Sequence, residues 1–426
     1  YNFKLDEAGR EIYAEKTEEQ ILKINATKEK IEIVYKEKSA FFRAIGIIAE
    51  KEQKGIFEFK EESKVWFDFN GFMLDCSRNG VVNVSYAKKI IEQLALAGQN
   101  VFMLYMEDTF QLDSEEYFGY LRGAFSKEEL KEIDDYGYKF GVEIIPCIQT
   151  LAHLDQFFMW EHIAEKYADI DNILNIGSED VKKFLENVIK QLSETFRSKR
   201  IHIGMDEAYN LGRGKYAEEN GLKHKTEIMR EHLNNMLEIC NKYNVKPIIW
   251  DDMFFSNYSR ATNDGYKIPD GIDLMYWDYY NNNIAHYEEN FEIRGKITNK
   301  KIMFAGGSWR WIGYASHHEK TLASTNASLM ACKKNGINEV MTTAWADDGC
   351  ECPVTMAIFG SILFAEHQYN YEINLDEFKD RLKFITKMDF ENFMKVQEYD
   401  ILPSMQNKSA TVTPSKYTLY EDPLCS

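Results

Sequence analysis

Through the middle of the chain, short continuous apolar runs alternate with longer stretches whose apolar residues recur at the period of a helix. The runs are rich in Val, Ile, Phe and Met and cover residues 69–76, 100–106, 142–149, 200–205, 245–250, 272–278, 301–305 and 339–345. Runs this short and this evenly apolar predict strands buried on both faces, as in a parallel sheet covered by helices. The helical-period stretches between them include 86–97, 127–140, 179–196 and 226–243. Eight strand–helix units predict a closed (β/α)8 barrel of the TIM type.

The ends read differently. Residues 1–66 contain IEIVYKEKSAFFRAIGIIAE followed by KGIFEFKEE, a strand–helix–strand pattern that predicts a small α/β domain. The barrel is expected over 67–370 and a helical C-terminal extension over 371–426, ending in a polar tail without periodicity.

Composition narrows the function. The formal charge of −18 speaks against nucleic acid, which needs clustered Lys and Arg, and against an anionic membrane surface. No apolar stretch approaches the roughly 20 residues that span a bilayer. Seven cysteines are scattered, and the one close pair, Cys350 and Cys352, lacks the spacing of a zinc site, so neither a metal nor another cofactor is expected. Scattered cysteines and an opening, YNFKLDEAGR, without an apolar signal core lead us to expect a cytoplasmic protein. The oligomeric state is left open, a dimer included.

Barrel enzymes carry their chemistry where strands end and the following loops begin. The eight runs end in Asp75 and Arg78; Glu107 and Asp108; Gln149 and His153; Asp206 and Glu207; Trp250, Asp251 and Asp252; Tyr276, Asp278, Tyr279 and Tyr280; Ser308 and Trp309; and Trp345, Asp347 and Asp348. Any one of these acids alone is more often a helix cap at a βα turn. Together they make a rim of carboxylates with aromatic walls, the equipment of glycosidic bond hydrolysis. His317 and His318 diverge and find no third ligand at metal spacing, so we expect them to face solvent.

At the fourth run, RIHIGMDEAYNLGRG resembles the H-x-G-G-D-E signature of glycoside hydrolase family 20 β-N-acetylhexosaminidases, through His202, Gly204, Asp206 and Glu207. FMLDCSRNG resembles the first-strand motif whose Arg, here Arg78, binds sugar hydroxyls. His153 stands where the family keeps a His after strand three, and Trp250 matches the strand-five Trp. MYWDYYN resembles the strand-six Y-L-D motif, which implies Tyr276 as the acetamido-binding phenol and Asp278 as a 6-hydroxyl ligand; Tyr279 and Tyr280 follow as alternative phenols. TAWADDG resembles the strand-eight W-x-E motif, implying Trp345 as a wall and Asp347 as a 4-hydroxyl acceptor, with Asp348 or Glu351 as alternatives. Trp309 and Trp311 read either as lining on the leaving-group side or as packing. The likeness is nearest to the bacterial exo-acting N-acetylglucosaminidases of the GcnA type.

Departures stand beside these matches. Met205 replaces the second Gly of the signature, Asn79 replaces a His, and QTLAH lacks the Asp that supports the acidic pair in the family. The resemblance implies removal of terminal β-linked GlcNAc or GalNAc from an oligosaccharide or glycoconjugate, with retention. The substrate's acetamido oxygen would attack to give an oxazolinium, Glu207 acting as acid and base and Asp206 orienting the acetamido group. The rivals are a catalytically silent sugar-binding barrel and a barrel glycosidase of other specificity.

Overall fold

The computed structural model describes residues 9–255, 265–347, 349–401 and 414–420. Asp348 and Cys425 lie outside them. The first layer is a four-stranded sheet of β1 (Glu11–Lys16), β2 (Ile21–Ala26), β3 (Lys30–Tyr35) and β4 (Phe59–Lys64), in the order β1-β3-β2-β4. One face packs on the helix Lys38–Gln53 through Leu22, Ile24, Ile31, Ile33, Ala44, Ile47 and Ile48. The sequence pattern anticipated β3, the helix and β4 but not β1 and β2. Every residue of β1 is exposed, so no buried face imposes the alternation by which a strand is recognised.

Eight parallel strands then close a barrel: β5 (Phe69–Asp75), β6 (Val101–Tyr105), β7 (Glu143–Cys147), β10 (Arg200–His202), β11 (Lys246–Trp250), β12 (Asp273–Trp277), β13 (Met303–Gly307) and β14 (Glu339–Ala344). A short hairpin, β8 (Ala168–Ile170) with β9 (Ile173–Leu174), interrupts the run after β7. The barrel closes where β14 pairs with β5 and β7 with β10. Along each strand, side chains alternate between the interior and the helix layer. Met73, Met103, Ile145, Ile248, Trp250, Met275, Met303 and Met341 fill the interior, while Phe72, Leu74, Leu104, Ile249, Leu274 and Phe304 meet the surrounding helices.

The helices start and stop on local signals. Asn83 accepts from the Tyr86 N–H ahead of Val84–Ala97, which ends on Gly98 with φ +92°. Ser126 and Glu129 form a reciprocal capping box ahead of Lys127–Phe140. Beyond the barrel, Ile358–Tyr369 is buried throughout and Leu375–Thr386 packs beside it. Contrary to expectation, His318 is fully buried, 4.4 Å from the Phe359 ring. His317 caps the helix His318–Asn335, accepting the Lys320 N–H.

Candidate active site

The fourth barrel strand is shorter than its apolar run: β10 pairs only through Arg200–His202, although the run continues to 205. The cause is local. Gly204, Met205 and Glu207 take positive φ of +69°, +78° and +51°, conformations that cannot continue a ladder. A Cβ at position 204 would stand 2.1 Å from Gln149 Oε1, so only glycine fits. Met205 offsets the strain of its left-handed backbone with a fully buried side chain in the helix layer. This turn splits the acidic pair. Asp206 retains 7% exposure inside the barrel mouth, whereas the Glu207 side chain is 40% exposed at the rim.

Asp206 is held from two sides. The Gln149 amide donates to Oδ1 at 2.8 Å, and His153 Nε2 stands 3.3 Å from Oδ2 and 3.6 Å from Glu207. Burial alone would raise Asp206, but His153 and the Gln149 amide hold it below the ordinary carboxylate range. Burial alone would likewise lower His153, yet Asp206 and Glu107 push it up to about 9. Gln149 also donates to the Tyr105 hydroxyl at 2.9 Å, which in turn donates to Glu107. QTLAH therefore does supply support for the pair, from Gln149, although it lacks the Asp. The signal was present in sequence, since Gln149 ends the third run.

Glu207 makes two further contacts. Its backbone N–H donates to Asp252 Oδ2 at 3.0 Å, and the Tyr209 hydroxyl donates to its Oε1 at 3.1 Å. Asp252 follows Trp250 and Asp251, and the three side chains diverge: Trp250 into the barrel, Asp251 outward to Arg294, Asp252 toward β10. Burial, then the nearby Asp206, raise Asp252 well above the carboxylate range. His202 lies inside the barrel, 4.2 Å from the Trp250 ring, accepting the Gly204 N–H on Nδ1 at 3.1 Å; burial lowers it to about 3, so it is neutral.

On the opposite side, Arg78 reaches Asp75 at 2.7 Å, Glu107 at 3.3 Å and Asp347 at 3.7 Å. Glu107, raised to about 7 by burial against the pull of Arg78, sits beneath it. Trp345 donates from Nε1 to the Tyr279 hydroxyl at 2.9 Å. Trp277 stacks on Tyr279, and Trp311 stacks on Trp309 with centroids 4.3 Å apart. These groups enclose a pocket with an empty volume of about 470 Å3, lined by Arg78, His153, Asp206, Glu207, Trp250, Trp277, Tyr279, Tyr280, Trp311, Trp345 and Asp347. A larger, shallow groove crosses the outer face of the β1–β4 sheet, but its polar side chains pair with one another, Lys23 with Glu62 at 3.0 Å and Asn25 with Glu32 at 2.8 Å.

Three expected residues stand elsewhere. Tyr276 points out of the barrel, its ring 3.6 Å from the Arg294 guanidinium and beside Phe291 and Phe304. On β12, Met275 and Trp277 face inward, so Tyr276 between them must face the helix layer. Asp278 does not line the pocket; it accepts from Tyr276, His286 and the Tyr280 N–H, pinning the loop after β12. Trp309 lies behind Trp311 and donates to the Tyr279 carbonyl, backing the wall without facing the cavity. Tyr279 replaces Tyr276 as the enclosed phenol. Of the alternatives to Asp347, Glu351 turns away to Lys416 and Tyr420, and Asp348 lies outside the described residues.

The chain is similar in sequence and in fold to known proteins. The chain is 24% identical over 241 residues to bovine hexosaminidase D, covering 54% of this chain and 67% of that protein. Against human hexosaminidase D the identity is 25% over 224 residues, 50% of this chain but only 44% of the human protein. The fold is similar to that of a β-N-acetylhexosaminidase from Bacteroides fragilis, with a TM-score of 0.68 at 20% identity, covering 89% of this chain and 84% of that one. Residues 67–293, more than half of the chain, match the catalytic domain of glycosyl hydrolase family 20, and the protein belongs to that family.

Proposed function

We propose that this protein is an exo-acting β-N-acetylhexosaminidase that releases terminal β-linked GlcNAc or GalNAc with retention, the substrate's acetamido group serving as nucleophile. The observation that carries the reading is the division of labour in one dipeptide. Asp206 is enclosed and held ionised, and Glu207 is open to the pocket mouth.

Asp206 uses one acceptor site on the Gln149 amide and faces His153 with another. A carboxylate offers about four such sites, so it retains capacity for the substrate's amide N–H. There its charge would stabilise the positive charge that grows as the acetamido oxygen closes on the anomeric carbon. Glu207 would first donate a proton to the departing oxygen and then take one from water. Tyr279 accepts from Trp345, its hydroxyl also meets that of Thr343, and burial keeps the phenol protonated; it is our candidate for the acetamido oxygen, turning its O–H from Thr343 to the substrate. Much of the catalysis is then positional, because the nucleophile arrives with the substrate. The small aromatic pocket, with Arg78 and Asp347 at one side, supports exo action on a single terminal sugar.

The test compares p-nitrophenyl N-acetyl-β-D-glucosaminide, its N-trifluoroacetyl analogue and the plain β-glucoside, with Glu207→Gln as control. We expect turnover of the first, a steep fall with the second, none of the third, and an inactive variant. Equal rates on all three substrates would make the acetamido group a spectator and refute the mechanism.

A further inference from the structure

Glu207 has an ordinary side chain on a left-handed backbone, φ +51°, in a segment where Gly204 and Met205 are also left-handed. An L-residue does not rest in that region unless its surroundings hold it there. Its carbonyl is tied locally, accepting the Tyr209 N–H at 2.7 Å. Its N–H, however, is tied to Asp252 Oδ2 at 3.0 Å, at the start of the short helix Asp252–Phe255 that follows the neighbouring strand. The other Asp252 oxygen faces the Trp277 indole N–H at 3.5 Å, and Trp277 is itself a pocket wall. Asp252 does not line the pocket. A single carboxyl thus joins the Glu207 backbone to an aromatic wall two strands away.

We propose that Asp252 is a positioning residue for Glu207: by accepting the Glu207 N–H it fixes the left-handed turn that aims the Glu207 carboxyl at the leaving-group oxygen. The inference rests on the reading of Glu207 as the general acid. What the turn requires of Asp252 is an acceptor oxygen, not a negative charge. A charge there would stand beside Asp206, and burial with that neighbour favours the neutral acid. An amide keeps one acceptor oxygen, which serves the Glu207 N–H at the expense of the longer 3.5 Å approach to Trp277. Loss of the acceptor frees the turn, and a shift of about 1 Å in a reacting group costs on the order of 100-fold.

The experiment measures kcat and KM of the intact protein, Asp252→Ala, Asp252→Asn and Glu207→Gln on p-nitrophenyl and phenyl N-acetyl-β-D-glucosaminides, with melting curves for each. We expect Asp252→Ala to lower kcat by about 10- to 100-fold with little change in KM. The loss should be deeper on the phenyl glycoside, whose poorer leaving group depends more on proton donation. Asp252→Asn should recover most of the rate. A purely structural role would depress both substrates equally and follow the melting temperature. If Glu207→Gln is inactive while Asp252→Ala matches the unaltered protein, or Asp252→Asn is as impaired as Asp252→Ala, the positioning role is refuted and the general acid stands. If Glu207→Gln retains full activity, the general-acid reading fails and the inference falls with it.

Discussion

Gln149→Leu removes one amide and keeps the volume, and it probes how Asp206 is kept ionised inside the barrel. The Gln149 Nε2 lies 2.8 Å from Asp206 Oδ1 and 2.9 Å from the Tyr105 hydroxyl, in a fully enclosed setting. A hydrogen bond to a buried charged group contributes about 1.5–3 kcal/mol. If that stabilisation is expressed in the transition state, kcat/KM falls about 10- to 150-fold. The pH dependence gives an independent sign. Burial pushes Asp206 up, and His153 with Gln149 brings it down. Without the amide its protonation moves to higher pH, so the acid limb of kcat/KM should move the same way. Stability follows the same sense. A carboxylate depressed in the folded protein contributes stability above its unfolded value, near 3.9, and that contribution is lost as pH falls through the folded value. Gln149→Leu should therefore resist acid less well than the unaltered protein. The assay is kcat/KM on p-nitrophenyl N-acetyl-β-D-glucosaminide across acid and neutral pH, beside acid unfolding followed by tryptophan fluorescence. A variant within about threefold of the unaltered protein, with an unmoved acid limb, would refute the role given to the amide.

Three further outcomes are expected. Gly204→Ala should cost at least about 1 kcal/mol of stability from its φ of +69° alone, and more from the contact with Gln149 Oε1; calorimetry and activity should fall together, and an unchanged melting temperature would contradict the steric argument. His153, raised to about 9, contributes stability that is complete below its unfolded value near 6.5 and is lost as pH rises through about 9. The loss is on the order of 3 kcal/mol at most, and chemical denaturation of His153→Gln against pH should show a flatter alkaline decline. Tyr209→Phe deletes the donor to Glu207 Oε1 at a half-exposed site, so we expect a loss of about two- to tenfold in kcat, measured on the phenyl glycoside.

Much of this protein is legible in the order of its residues. The eight runs became the eight barrel strands because a strand buried on both faces must be apolar throughout, and that leaves a strong local mark. Asp206 and Glu207 were singled out because they end the fourth run, where a barrel concentrates chemistry, and because the residues before them resemble the family signature. Other features leave no such mark. Facing cannot be read from a continuously apolar strand, so Tyr276 looked as eligible as Tyr279; only the inward placement of Met275 and Trp277 on β12 excludes it. Asp278 was named from the strand-six motif and Trp309 from its place at a strand end, but Asp278 is taken up by Tyr276, His286 and the Tyr280 N–H, and the Trp309 indole by the Tyr279 carbonyl.

Residue types and spacing along the chain determined the barrel and the strand ends where the acids gather, and the resemblance of its motifs pointed to the family. Tertiary structure alone decided which acid is enclosed, which phenol faces the cavity, and that Gln149 and Asp252, just past the ends of the strands either side of β10, grip the pair between them. The physical reason is that periodicity is a local property, whereas hydrogen bonds between neighbouring strand ends join residues far apart in the chain, 57 positions for Gln149 to Asp206 and 45 for Glu207 to Asp252.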